Sequence, residues 1–196
     1  MSDSFRLFLS LRIRKRRIKL DAIEIIKKYY EEDSPLYNIL LTHGESVAQK
    51  ALEISKLHPD RNFDSDFIYE SAILHDIGIY LTGAPSIYCY GKYPYICHGY
   101  LGAELMRKEG YPKHALVCER HTGSGLIKED IKGLPIAQRD MLPESLEEKL
   151  VCFADKFYSK SDLGKVKTID QIRKSMAKYG DAALTRFEKM VKLFLD

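Results

Sequence analysis

The stretch SAILHDIGIY, residues 71–80, sets His75 and Asp76 side by side at the end of an apolar run and follows them with Ile77 and Gly78. The run reads as the close of a helix, because Ile68, Ala72 and His75 recur on one face behind an Asp/Ser start at residues 64–66. Two strongly coordinating side chains therefore stand where the pattern asks for core residues. Burying such groups is costly unless hydrogen-bond donors or a cation meet them.

Helical signals extend in both directions from this point. Asp21 with Glu24 is a capping-box pattern opening residues 21–32, and Val47, Ala51 and Ile54 share one face of residues 44–58, which stop near Pro59. Helices are expected again over residues 98–110 and 112–121, over 145–160 behind a Ser145/Glu148 capping box, and over 168–180 and 181–196. No convincing strand or repeat interrupts them, so the expected architecture is an all-α bundle of about eight helices. Residues 79–97, with Gly83, Pro85, Gly91, Pro94 and five tyrosines, form a long loop that reads as a cover over a site. Residues 122–143 form a Gly/Pro-rich linker.

Composition places the chain among ordinary globular proteins: 196 residues, 45% hydrophobic and 30% charged, with a formal net charge of +3. Residues 21–196 read as one domain behind a basic extension, residues 1–20, whose cluster RIRKRRIK (residues 12–19) lacks the interleaved aromatics of a nucleic-acid surface and reads as a solvated tail. No apolar run is long enough for a membrane span, and the apolar part of the N-terminal segment precedes its basic part, the reverse of a secretory signal. Four scattered cysteines without a CxxC pair suggest neither a zinc knuckle nor a disulfide framework, and a reducing cytoplasm is the simplest home.

The coordinating residues form an ordered set: His43 at a helix start, His75 and Asp76 at a helix end, His98 at a start, His121 at an end, and Asp155 in mid-helix one turn beyond Val151. His58 and His114 fall outside this order and read as surface residues. The set His43, His75-Asp76 and Asp155, with HDIG spelled at residues 75–78, resembles the HD-domain metal-dependent phosphohydrolases over about residues 42–159. The segments HGYLGAELMRKEG, ERHTG and LEEKLVCFADKF are similar to those of a bacterial subgroup that cleaves diadenosine tetraphosphate.

That resemblance implies an HD-domain-like helical bundle and two metal ions, with iron favoured and manganese or zinc as alternatives. It assigns His43, His75, Asp76 and Asp155 to one metal and Asp76, His98 and His121 to the other, with Asp76 as the bridging catalytic carboxylate. Arg120, Thr122, Gly123 and Lys156 are the expected substrate-binding residues. The implied substrate is a small phosphorylated molecule, a nucleotide or dinucleoside polyphosphate; neither membrane nor nucleic acid is an expected partner, and a homodimer stays open. Two departures from the family pattern stand out. Ile79 and Tyr80 follow Gly78 where many members carry a basic residue, and Arg120-His121 replaces the double histidine of cyclic dinucleotide enzymes. A di-iron oxygenase and a non-catalytic metal-stabilised binding module are the alternative readings.

Overall fold

A computed structural model describes residues 20–196 and contains eight α-helices among them: α1 (Ala22–Lys27), α2 (Pro35–Lys56), α3 (Ser65–Leu74), α4 (His98–Lys108), α5 (Pro112–Arg120), α6 (Leu146–Asp155), α7 (Ile169–Ala177) and α8 (Asp181–Leu195). The expected all-α fold is observed. Of the basic extension expected over residues 1–20, only Leu20 lies within the described residues, and it is buried beside α1. No helix among the described residues is long and apolar enough to cross a membrane.

Local chemistry explains most helix starts. Asp21 accepts from the Ile23 and Glu24 amides, Asp64 from Phe67, Ser145 from Glu148 and Thr168 from Gln171, so side-chain oxygens satisfy first-turn donors that lack intrahelical partners. At Ser145 the capping box is incomplete, because the Glu148 carboxylate turns instead to the Glu144 amide and to Arg120.

Three expected boundaries are corrected. Helix α2 begins at Pro35 behind the cap Ser34, nine residues before the expected start at Gly44. Gly44 is no helix break: a Cβ there would lie 3.1 Å from Ile73 Cα, so glycine allows α3 to press against α2. Helix α1 stops at Lys27, and α6 stops at Asp155 because the chain turns sharply through residues 156–165. A two-stranded antiparallel ribbon, β1 (Gly83–Ala84) with β2 (Cys89–Tyr90), adds, among the described residues, a short piece of sheet that the helical expectation lacked.

Two apolar cores flank the centre of the molecule. One joins α2, α6, α7 and α8 around Phe153, whose ring centroid lies 5.6 Å from that of Phe187 and 5.5 Å from that of Phe194. The other joins α1 to α5 around Ile26, Leu40, Leu74 and Met106. Each such side chain stabilises the fold by roughly 2 kcal/mol on burial. Helix α2 belongs to both, with Leu40 in one and Val47 in the other, and His43 lies between them. The polar site therefore occupies a seam enclosed by apolar packing.

Candidate metal centre

The six expected ligands come together in that seam. His43, His75, Asp76 and Asp155 form one buried group and Asp76, His98 and His121 another, with the donor atoms of each group within 4.8 Å of one another. Helices α3, α5 and α6 deliver His75-Asp76, His121 and Asp155 at their C-termini, where the partial negative charge of the terminal carbonyls favours a cation. His98 opens α4, and His43 sits in the interior of α2. The expected places of His43 and Asp155 are thus exchanged: His43 is mid-helix, Asp155 at a helix end.

Three histidines share one orientation. Nδ1 of His75 lies 2.6 Å from the Ala72 carbonyl, Nδ1 of His98 lies 2.6 Å from that of Tyr95, and Nδ1 of His121 lies 2.7 Å from that of Cys118. A carbonyl only accepts, so each Nδ1 carries a hydrogen and each ring turns its Nε2 toward the seam, bare in His98 and His121, whose rings are neutral. His43 differs, its buried Nδ1 having no hydrogen-bond partner.

The Nε2 atoms converge on the two carboxylates. His43 Nε2 is 2.9 Å from Asp155 Oδ1 and 3.3 Å from Asp76 Oδ2; His75 Nε2 is 2.9 Å from Asp76 Oδ2. On the other side of Asp76, Oδ1 lies 3.3 Å from His98 Nε2 and 3.4 Å from His121 Nε2, and those two nitrogens face each other at 3.0 Å. Two bare lone pairs at that separation repel unless a proton or cation lies between them. Neither oxygen of Asp76 has a hydrogen-bond partner, although the residue is fully buried. The donor set, mixed imidazole and carboxylate without thiolate, suits iron, manganese or zinc better than calcium.

Electrostatics agree with a cation-binding role. Burial raises the Asp76 pKa, but His75 and Lys160 more than reverse this and hold its carboxyl well below the usual carboxylate range. Burial pushes His98 down to about 3 and also lowers His121, so both are neutral imidazoles. His75 behaves oppositely: burial lowers its pKa, and Asp76 with Asp155 outweigh that to raise it to about 9.

A cavity of about 630 Å³ opens beside the seam, reached by His98, His121 and Asp155. Thr122 and Gly123 line it, as does Lys156, whose Nζ lies 2.6 Å from Asp155 Oδ2 and donates to the His121 carbonyl at 3.2 Å. The expectation for Arg120 is corrected. Its guanidinium pairs with Glu148 at 2.9 Å and Glu144 at 3.2 Å, and it does not line the cavity. Consecutive helical residues point about 100° apart, so a chain that aims His121 into the seam carries Arg120 to another side of α5.

The sequence reading passed over Lys160, whose Nζ lies 2.5 Å from Asp76 Oδ2, a charge contact without hydrogen-bond alignment. Nothing in KFYSKSD distinguishes this lysine from a solvated one; the turn after Asp155 carries it back to the site. His114, read as a surface residue, is instead buried, with Nε2 3.2 Å from Glu70. The tyrosine-rich loop closes one flank of the cavity through Ala84, Ile87 and Tyr95, and Tyr95 stacks on His98 with centroids 4.7 Å apart. The four cysteines are buried and free.

The fold is an all-α shell enclosing an ordered His/Asp cluster of a kind that could hold metal. The chain matches the HD domain over residues 40–159 and belongs to that family, one of metal-dependent phosphohydrolases. It is 32% identical over 137 residues to an uncharacterised protein of Methanocaldococcus jannaschii, covering 68% of this chain and 71% of the relative. It is also similar to two proteins named tRNA (cytidine(56)-2'-O)-methyltransferase, 30% identical over 123 residues in Picrophilus torridus and 28% over 138 in Thermoplasma volcanium. Those matches cover 62% and 70% of this chain but 32% and 35% of the methyltransferases, so the chain spans about a third of their length. No solved structure matches the chain.

Proposed function

We propose that the chain is a dinuclear-metal phosphohydrolase acting on a nucleotide or dinucleoside polyphosphate. The observation that carries this reading is the pair His98 and His121, whose Nε2 atoms face each other at 3.0 Å with both Nδ1 atoms held by carbonyls. In this reading His43, His75, Asp76 and Asp155 would hold one ion and Asp76, His98 and His121 the other, with Asp76 common to both groups. Iron is favoured, with manganese or zinc as the alternatives. When bound, such a pair supplies an activated water and compensates charge on the phosphoryl oxygens.

The remaining work falls to the chain's own residues. Lys156 fixes Asp155 and the His121 carbonyl in place, Thr122 and Gly123 form the cavity wall beside the ligands, and the loop over residues 79–97 shields the centre from bulk water. Hydrolysis consumes one water: its oxygen bonds to phosphorus, the P–O bond to the leaving group breaks, and a proton ends on the departing oxygen.

Protein purified without added chelator is expected to carry two transition-metal ions per chain and to release phosphate or a nucleotide from members of a nucleotide panel. The panel includes RNA with a terminal phosphate, because two relatives bear the name of tRNA methyltransferases. Asp76→Ala is expected to lose metal and turnover together. Turnover by metal-free protein would refute the proposal, and oxygen consumption without phosphate release would favour the oxygenase alternative.

A further inference from the structure

Four cationic side chains line the cavity, and three are committed to the protein. Lys156 is held by Asp155 and the His121 carbonyl. Lys167 donates to the Tyr158 carbonyl at 3.2 Å. Arg186 donates to the carbonyls of Ser124 at 3.2 Å and Gly125 at 2.9 Å, and so ties α8 to the segment after His121. Lys160 differs. Among the described residues it donates to no backbone carbonyl; its close partner is Asp76 Oδ2 at 2.5 Å, with the Tyr95 hydroxyl beside it.

A cation in the centre would compete with that arrangement. Asp76 Oδ2 is the oxygen that also faces His43 at 3.3 Å and His75 at 2.9 Å, so a cation held by that group would take the place of the ammonium as its counter-charge. A lysine side chain only 12% exposed cannot remain close to a cation without an anion of its own. The open volume within its reach is the cavity it lines.

Resting on the hydrolase reading above, we infer that Lys160 is the substrate-phosphoryl ligand of this chain: its Nζ leaves Asp76 when the centre is loaded and pairs with a phosphoryl oxygen presented in the cavity. Lys160 thus supplies the fixed cation that the residues after HDIG do not. Its contact is of the charge-assisted kind, a compact ammonium against a multiply charged oxygen cluster.

Inorganic phosphate is the probe, titrated calorimetrically into the metal-containing protein while metal per chain is counted by elemental analysis. Lys160→Met is expected to keep the wild-type metal content and to lose at least about tenfold in phosphate affinity, as loss of one charge-assisted contact implies. Lys160→Gln carries the same expectation and covers a Met variant that fails to fold. Lys165→Met, on the exposed part of the same segment, is expected to bind phosphate as the wild type does. Unchanged phosphate affinity in the Lys160 variants would overturn the inference, and so would loss of metal, which would make Lys160 a prop for the ligands. Wild-type protein that carries metal yet neither binds phosphate nor cleaves any phosphoester would instead overturn the hydrolase reading, and this inference with it.

Discussion

His98 touches one half of Asp76 only, and this makes it the residue at which the two halves of the centre can be separated. Its Nε2 approaches Oδ1, whereas His43 and His75 approach Oδ2. His98→Ala is therefore expected to reduce the metal content from two ions per chain to one, with hydrolysis falling to background. Retention of both ions in that variant would remove His98 from the ligand set. A second residue reports on burial instead of chemistry. His114 lies against Phe67 and Tyr111, and its pKa is pushed from 6.5 down to about 4, chiefly by burial, with Asp64 opposing. The unfolded chain takes up that proton near pH 6.5 and the folded chain only near pH 4. Stability attributable to His114 therefore falls as the pH drops through that window and is constant below it. Denaturant titrations of His114→Gln should show a flatter pH dependence across that range than the wild type; an identical slope would mean that other groups titrate there.

At the scale of elements, the metal centre depends on helices that approach one another unusually closely. Helix α4 presents Gly99 and Gly102 to its neighbours: a Cβ on Gly99 would lie 2.6 Å from the Cys118 carbonyl oxygen, and one on Gly78 would lie 2.9 Å from Gly102 Cα and closer still to the His98 carbonyl. The glycine of HDIG thus owes its place to packing, since α4 must cross the turn after Asp76 for His98 to arrive. Gly78→Ala is expected to cost about 1–3 kcal/mol through overpacking. It should also weaken metal binding, because the strain is relieved by moving α4 and its histidine away. A variant with lowered melting temperature but unchanged metal affinity would show that His98 is positioned by other contacts. Much of this level was readable in advance. Caps at Asp64, Ser145 and Thr168 and the apolar stripes behind them mark helices by local chemistry alone. The early start of α2 was missed because Gly44 looks like a boundary until α3 is placed against it.

For the whole molecule, a loaded centre would work as an internal clamp. Its candidate ligands come from α2, α3, α4, α5 and α6 and lie across the seam between the two apolar cores, so an ion held there would tie together elements that otherwise meet through buried carboxylates and electron-rich imidazoles. Metal at roughly a few hundred times its dissociation constant adds about 3–4 kcal/mol to folding stability. Chelation is accordingly expected to lower the melting temperature by about 10 °C, restored on adding metal back. Calorimetry that shows no shift on chelation would count against a bound ion in the native protein. The chain's own order of residues determined the helical class, the positions of most helix starts, and which imidazoles and carboxylates were candidates to meet, because caps, periodicity and donor chemistry act over a few residues. Only the tertiary structure decided that His43 stands inside a helix, that Arg120 turns to Glu148, and that Lys160 returns to Asp76. Those outcomes depend on the direction in which each side chain leaves its element and on partners from distant parts of the chain, and such directions exist only once the helices have packed.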